Sequence, residues 1–208
     1  MGASAVDSVL LIQFAREPQE GRVKTRMIPH LSARQACALH CELVLWTSRQ
    51  LVAADMGDVE LAVAGDAAHP LFDQCRTLGI SRYVTQRGVD LGERMHAAMR
   101  DGLQHYSRVI LVGSDCPGID RAYLAQALLA LDTAPVVLGP ATDGGYVLIG
   151  ARQIHEGLFQ GIPWGTCDVY RATTQRLRQL QLEWLELPAL ADIDRPEDLA
   201  LWETACGS

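Results

Sequence analysis

Short, nearly continuous apolar runs alternate along the chain with longer stretches of helical periodicity, and this alternation predicts an α/β fold. Val9-Leu10-Leu11-Ile12-Gln13-Phe14 reads as the first strand, ending in a polar loop. A helix follows over residues 32–54, with Ser32 and Gln35 spaced as a capping box and Ala36, Leu39, Leu43, Val44 and Leu51 on one face. A strand over 59–64, a helix over 70–78 closed by Gly79 and a short strand over 81–85 continue the order βαβαβ. Asp90 is placed to cap a helix over 91–106 whose apolar stripe is Met95, Ala98, Met99 and Leu103. Arg108-Val109-Ile110-Leu111-Val112-Gly113-Ser114-Asp115-Cys116-Pro117-Gly118 reads as a strand buried on both faces, broken off by a small-residue turn. Asp120 then caps a helix running through Leu131, and Pro135-Val136-Val137-Leu138-Gly139 begins the next strand. A helix after Asp168, a strand over 182–187 and a last helix capped by Asp194, with Pro196 early in it, complete the pattern.

Length and composition narrow the picture. At 208 residues and 49% hydrophobic, the chain suits one α/β domain spanning 1–208. No apolar run approaches a membrane span, and the run from Val9 follows Asp7 rather than a basic segment, so the expectation is a cytoplasmic protein without a signal peptide. A net charge of −7 argues against nucleic-acid or membrane-surface partners, which require a broad basic footprint. Six cysteines show no zinc-finger or Cys-x-x-Cys spacing; Cys37 and Cys41, four apart on a helix, read as ordinary packing thiols.

Against that background, three stretches stand out. Between Ala15 and Met27, Arg16, Arg22, Lys24 and Arg26 gather just beyond the first strand, where open α/β sheets receive phosphates. Of 18 basic residues only Lys24 is lysine, so a compact ammonium is retained where arginine otherwise serves. Asp115 follows a buried strand at the edge where ligands bind, although a turn-forming role explains it equally well. Thr142-Asp143-Gly144-Gly145-Tyr146 either permits close backbone approach to a ligand or is an ordinary hairpin turn. With a further acidic turn at Asp192 and Asp194, the set fits Mg²⁺-assisted chemistry on a phosphorylated substrate. Trp46 and His40 read as packing residues of the first helix, and Glu93 and Arg94 as an ion pair or members of the ligand edge. No Walker loop, Gly-x-Ser-x-Gly elbow, Gly-x-Gly-x-x-Gly or His-Glu-x-x-His sequence offers another catalytic set.

Phe14-Ala15-Arg16-Glu17-Pro18, Gly21-Arg22-Val23-Lys24-Thr25-Arg26-Met27, Asp90-Leu91-Gly92-Glu93-Arg94-Met95, Gly113-Ser114-Asp115-Cys116-Pro117 and Asp143-Gly144-Gly145-Tyr146 together resemble a bacterial family of glycosyltransferase-A-fold proteins. Its members are often labelled selenium-domain-associated transferases. The resemblance covers nearly the whole chain and implies a nucleotide-diphospho-sugar transferase fold, a Rossmann-like mixed sheet flanked by helices. The Lys24-Thr25-Arg26 loop and the Asp143-Gly144-Gly145 turn look like those of 2-phospho-lactate guanylyltransferases. The ending Asp192-Ile193-Asp194-Arg195-Pro196-Glu197-Asp198-Leu199 is similar to that of sugar-nucleotide cytidylyltransferases, where the aspartate matching Asp194 helps hold the metal. Glycosyltransferases of this fold usually carry Asp-x-Asp; here the third position is Pro117, which tilts the reading toward nucleotidyl transfer.

The resulting expectation is a Mg²⁺- or Mn²⁺-dependent transferase moving a nucleotidyl group from a nucleoside triphosphate to a phosphorylated small-molecule acceptor. Lys24, Arg26 and Asp115 are the catalytic candidates, and Asp115 and Asp194 the metal ligands. Arg16, Lys24, Arg26, Gly92 and Ser114 would contact nucleotide phosphates, while Asp143, Gly144, Gly145 and Tyr146 would line the acceptor side. The alternatives are a glycosyltransferase using a nucleotide-diphospho-sugar and a non-catalytic nucleotide-binding module.

Overall fold

In the computed structural model of the chain, residues 8–28 and 30–207 are described; Asp7 and both extreme ends of the expected domain lie outside them. β1 (Val9–Arg16) lies inside the sheet, parallel to β2 (Asp58–Ala64) on one side and to β4 (Arg108–Val112) on the other. β3 (Arg82–Thr85) extends the parallel half. Beyond β4 the sheet changes character: β6 (Tyr146–Ala151) runs antiparallel to both β4 and β5 (Val136–Pro140), and β7 (Trp184–Glu186) lies parallel to β5. The seven strands form one mixed sheet in the order β3-β2-β1-β4-β6-β5-β7.

Continuous apolar strands follow from burial on both faces. In β1, Leu11 joins a core with Val44, Leu51, Leu61, Phe72, Leu124 and Leu148, which packs α1 (Ala33–Ala54), α2 (Pro70–Thr77) and α4 (Arg121–Thr133) on one face. Its neighbours Leu10 and Ile12 join Met95, Met99, Val109, Ile149 and Leu177, which pack α3 (Leu91–Leu103) and α5 (Val169–Gln179) on the other. No described helix is long and apolar enough to cross a membrane.

Caps and turns behave largely as their chemistry dictates. Ser32 and Gln35 complete the expected capping box, and Asp90 and Asp120 cap α3 and α4 through their carboxylates. The helix expected over 91–106 stops at Leu103, and the strand expected over 182–187 shortens to three residues. The largest departure is at the C-terminal end. A 3-10 turn, Pro196–Asp198, precedes α6 (Leu199–Cys206), and its reciprocal cap is Asp198, whose Oδ2 accepts from Asp194 N and Arg195 N at 3.0 and 2.7 Å. Asp194 is not the cap, and its carboxylate is left for other work.

A third, smaller core positions the site. Met27, Leu39, Leu43, Ile193 and Trp202 are buried together, so the loop after β1, the acidic turn and α6 rest on one another and on α1.

Candidate functional site

The carboxyl ends of β1 and β4 meet where the open sheet presents its ligand edge. Beneath that edge lies a buried polar network that explains a glutamine inside an apolar strand. Gln13 is fully buried; its Nε2 donates to Val44 O at 3.0 Å and to Ser114 Oγ at 2.9 Å, while Ser48 Oγ donates to Gln13 Oε1 at 2.7 Å. Ser114 Oγ donates in turn to Phe14 O at 2.8 Å. Every member is satisfied, so the turn carrying Asp115 is held to β1 and α1 by side chains rather than by packing alone. Ser114, expected to touch phosphate, lines the larger of the two cavities described below, with its hydroxyl committed to this network.

Lys24 is the centre of the arrangement. Its side chain is only 3% exposed, yet Nζ lies 2.9 Å from Asp115 Oδ1 and donates to Ile193 O at 2.5 Å. Its backbone is left-handed, at φ 49°, a conformation that costs a non-glycine residue about 1 kcal/mol and persists only where surroundings enforce it. Ile193 N also donates to Asp115 O at 2.8 Å, so the basic loop, the β4 turn and the acidic turn are locked together. Arg26, one step further, pairs through Nη1 with Asp194 Oδ2 at 2.5 Å, and that carboxylate raises the guanidinium pKa. The two carboxylates expected to bind metal are thus each matched by a cation from the first loop.

Two cavities adjoin at this point. The larger, about 640 Å³, is lined by Arg16, Arg22, Lys24, Arg26 and Arg94, together with Asp90, Asp115 and Asp194. The smaller, about 250 Å³, is walled by Phe14, Met95, Tyr146 and Trp164, with Asp143 and Asp192 among its polar groups. Phe14, Arg26, Leu91, Gly113, Asp115 and Gly165 line both and mark the junction. Asp192 and Asp194, two residues apart, therefore serve different cavities. Burial and the nearby Asp143, Asp194 and Asp115 push the Asp192 carboxyl up to about 6. Cys116 also lines the smaller cavity, but burial raises its thiol to about 12, which removes it as a thiolate nucleophile.

The turn at 141–145 is both a hairpin and a cavity wall. Asp143 Oδ1 accepts from Gly145 N at 2.9 Å, and Ala141, Asp143, Gly145 and Tyr146 face the smaller cavity. Gly144 does not: at φ +94° its Cα is turned toward Cys167 O, which a Cβ would approach to 2.2 Å. Gly92 also departs from expectation. It lines neither cavity and instead lets α3 approach Phe159 O and the Trp164 indole, where a Cβ would sit 2.9 and 3.0 Å away. Glu93 and Arg94 do not pair; Val89 N donates to Glu93 Oε2 and Arg94 Nε donates to Gly88 O, fixing the loop before α3.

Several lining residues carried no sequence signal. His40, read as packing, is buried but lines the larger cavity, with Nε2 2.9 Å from Arg16 O. The carbonyl acceptor places the proton on Nε2, and burial lowers the imidazole pKa. Trp164 stands in no motif, and Met95 was visible only in the apolar stripe of its helix and in the Asp90–Met95 stretch of the family resemblance. Pro117, the departure from Asp-x-Asp, receives the Trp46 indole N–H on its carbonyl at 3.3 Å. All six cysteines are free thiols.

A mixed sheet of this order with a cation-lined cavity at the ends of β1 and β4 is the nucleotide-diphospho-sugar transferase fold, and the known structures that resemble it carry that fold. Within it, the chain belongs to the family described as "Uncharacterized protein conserved in bacteria (DUF2064)", matched over residues 47–166. A Desulfovibrio desulfuricans G20 protein, provisionally described as a nucleotide-diphospho-sugar transferase, is 33% identical; the alignment covers 98% of this chain and 90% of that one, at a TM-score of 0.85. The 4-diphosphocytidyl-2C-methyl-D-erythritol synthase of Anaerococcus prevotii DSM 20548 shares the fold at 10% identity, a TM-score of 0.62 and 97% coverage of both chains. A Mycobacterium tuberculosis H37Rv protein solved in complex with manganese does so at 14% identity and a TM-score of 0.53, covering 97% of this chain and 99% of that one. A comparison with curated proteins finds no match. Family and fold place the chain among the transferases of this superfamily.

Proposed function

We propose that the protein is a divalent-metal-dependent nucleotidyltransferase, using a nucleoside triphosphate and a phosphorylated small-molecule acceptor. The observation that carries this reading is the meeting of two unlike cavities at Asp115 and Arg26, one lined by five basic side chains and the other largely apolar. These five basic side chains outnumber Asp90, Asp115 and Asp194 on the same lining, so the cavity keeps a net positive charge toward a triphosphate chain, and preorganised cations stabilise the charge that shifts among phosphate oxygens during transfer.

An oxygen of the acceptor phosphate attacks the α-phosphorus, a new P–O bond forms, the bond to the α–β bridging oxygen breaks, and pyrophosphate leaves. Lys24 and Arg26 stabilise the charge in flight, Arg16, Arg22 and Arg94 hold the outer phosphates, and Asp115 orients Lys24 Nζ. Tyr146, Asp143 and Gly145 bound the acceptor.

Mg²⁺ or Mn²⁺ fits the donor set. Asp115 and Asp194 offer hard oxygen donors on the larger cavity. Among the described residues no group of three or more His, Cys, Asp or Glu side chains forms a complete metal site. Magnesium characteristically binds one or two carboxylates and completes its shell with substrate phosphates and water. Asp115 and Asp194 would hold the ion, which would supply Lewis-acid charge to phosphate oxygens.

The test is pyrophosphate release from a panel of triphosphates and phosphorylated acceptors. Release that requires Mg²⁺ and falls at least about 100-fold in Asp115→Ala is the expected result, the loss typical of removing one preorganised electrostatic group. Release unchanged in both Asp115→Ala and Lys24→Ala contradicts the site assignment.

A further inference from the structure

The contrast between the cavities goes further than phosphate binding. Four ionisable side chains that carry charge line the smaller one: Arg26, Asp115, Asp143 and Asp192. Arg26 is matched by Asp194 and Asp115 by Lys24. Among the described residues, Asp143 and Asp192 have no basic partner within salt-bridge distance. The remainder of the wall is Thr166, three glycines and a larger set of apolar and aromatic side chains, with the Tyr146 and Trp164 rings edge to face, centroids 6.3 Å apart and planes at 79°.

Aromatic faces and unpaired carboxylates attract the same kind of group. A ring quadrupole stabilises a cation near its face, and it does so most strongly for weakly hydrated ammonium groups in desolvated pockets. A neutral apolar body would leave Asp115, Asp143 and Asp192 facing Arg26 as the one basic side chain on this lining, itself already paired with Asp194, and an anionic body would be repelled by the excess of carboxylates. An amine satisfies both walls at once.

We propose that the smaller cavity takes the body of the acceptor through a protonated or quaternary amine, held between Asp143, Asp192 and the Tyr146–Trp164 wall. This rests on the nucleotidyltransferase reading, in which the acceptor phosphate lies at the Arg26 junction and its body in the cavity beyond. The acceptor class is then a phosphomonoester of an amino alcohol or a similar amine-bearing molecule. Asp143 and Asp192 become specificity-determining residues with no part in the bond-making step.

Choline tests the proposal, with its uncharged isostere 3,3-dimethylbutan-1-ol and the anion 3,3-dimethylbutanoate as controls, each titrated into the full chain by ligand-observed NMR and Trp fluorescence. Choline is expected to bind about ten-fold tighter than the alcohol, the scale of a desolvated cation–π contact with a carboxylate neighbour. Asp143→Asn with Asp192→Asn, both isosteric, should erase that preference, and Trp164→Leu should weaken both ligands. Choline that fails to bind, or binds no better than the alcohol or the anion, overturns the proposal. The same samples titrated with a Mg²⁺–triphosphate separate the two readings. Triphosphate binding without a choline preference sinks only the amine assignment, whereas a choline preference without triphosphate binding sinks the nucleotidyl reading.

Discussion

Lys24 is almost wholly buried, left-handed and bonded to both Asp115 and the Ile193 carbonyl, a combination that no other side-chain type reproduces. Lys24→Met is expected to lower stability by about 1–3 kcal/mol in urea unfolding, since it leaves the Ile193 carbonyl without its donor. Asp115, with its side chain 47% exposed, can recover water, so the loss stays within that range. Lys24→Arg should not restore stability, because a planar guanidinium does not fit a space built for one ammonium nitrogen. A stable Lys24→Met protein would show that the pair is incidental.

His40 gives a pH signature of its own. Burial lowers its folded-state pKa below the ordinary 6.5, so the unfolded chain binds the proton first, and its contribution to stability is full above 6.5 and lost as pH falls toward the folded pKa. Asp192 works in the opposite sense: raised to about 6, its carboxyl contributes below its unfolded pKa and loses that contribution as pH rises through about 6. The difference in melting temperature between the wild type and His40→Gln isolates the first effect, and should shrink as pH drops from about 7.5 to 5.5. A pH-independent difference would count against a buried, neutral imidazole. Lys24 was legible in the chain because it stands alone among arginines; His40 was not, since a histidine on an apolar helix face looks like any core residue until the Arg16 carbonyl is found beside it.

Among the elements, the turn between β5 and β6 shows how a short motif holds two meanings. Asp143-Gly144-Gly145 makes the hairpin that turn chemistry predicts, and its Asp143, Gly145 and Tyr146 also face the smaller cavity. Gly144 faces away, and Tyr170 N donates to its carbonyl at 2.9 Å, tying the hairpin to α5. Gly144→Ala combines a positive φ with a clash against the Cys167 backbone and is expected to cost more than about 2 kcal/mol in chemical denaturation. An unchanged denaturation midpoint would mean that the segment at 165–168 yields freely. Strands and helix starts were readable because apolar runs and capping carboxylates are local signals. The acidic turn was readable as a candidate site but its capping was not, because Asp194 suits a cap by its position before Pro196, and only the chain's path shows Asp198 taking both N–H groups and Asp194 reaching Arg26.

At the scale of the molecule, residues from opposite ends of the chain complete one site: Lys24 and Arg26 from the first loop, Asp115 from the middle, and Ile193 and Asp194 from the last turn. The alternation of apolar runs and helical periods foretold the parallel half of the sheet, while the reversal of β6 depended on a turn whose sequence allowed other readings. The Trp164 wall lies outside any motif, since its segment is brought to the cavity by the path from β6 to α5.

The most direct test of the account is calorimetric titration of the full chain with nucleoside triphosphates and with nucleotide-diphospho-sugars, with and without Mg²⁺. The account predicts that a triphosphate binds more tightly than any diphospho-sugar, that binding requires the metal, and that Asp115→Ala and Lys24→Ala each weaken it at least about ten-fold, the scale of one charge-assisted contact. Tighter binding of a diphospho-sugar, or triphosphate binding untouched by both substitutions, would contradict it.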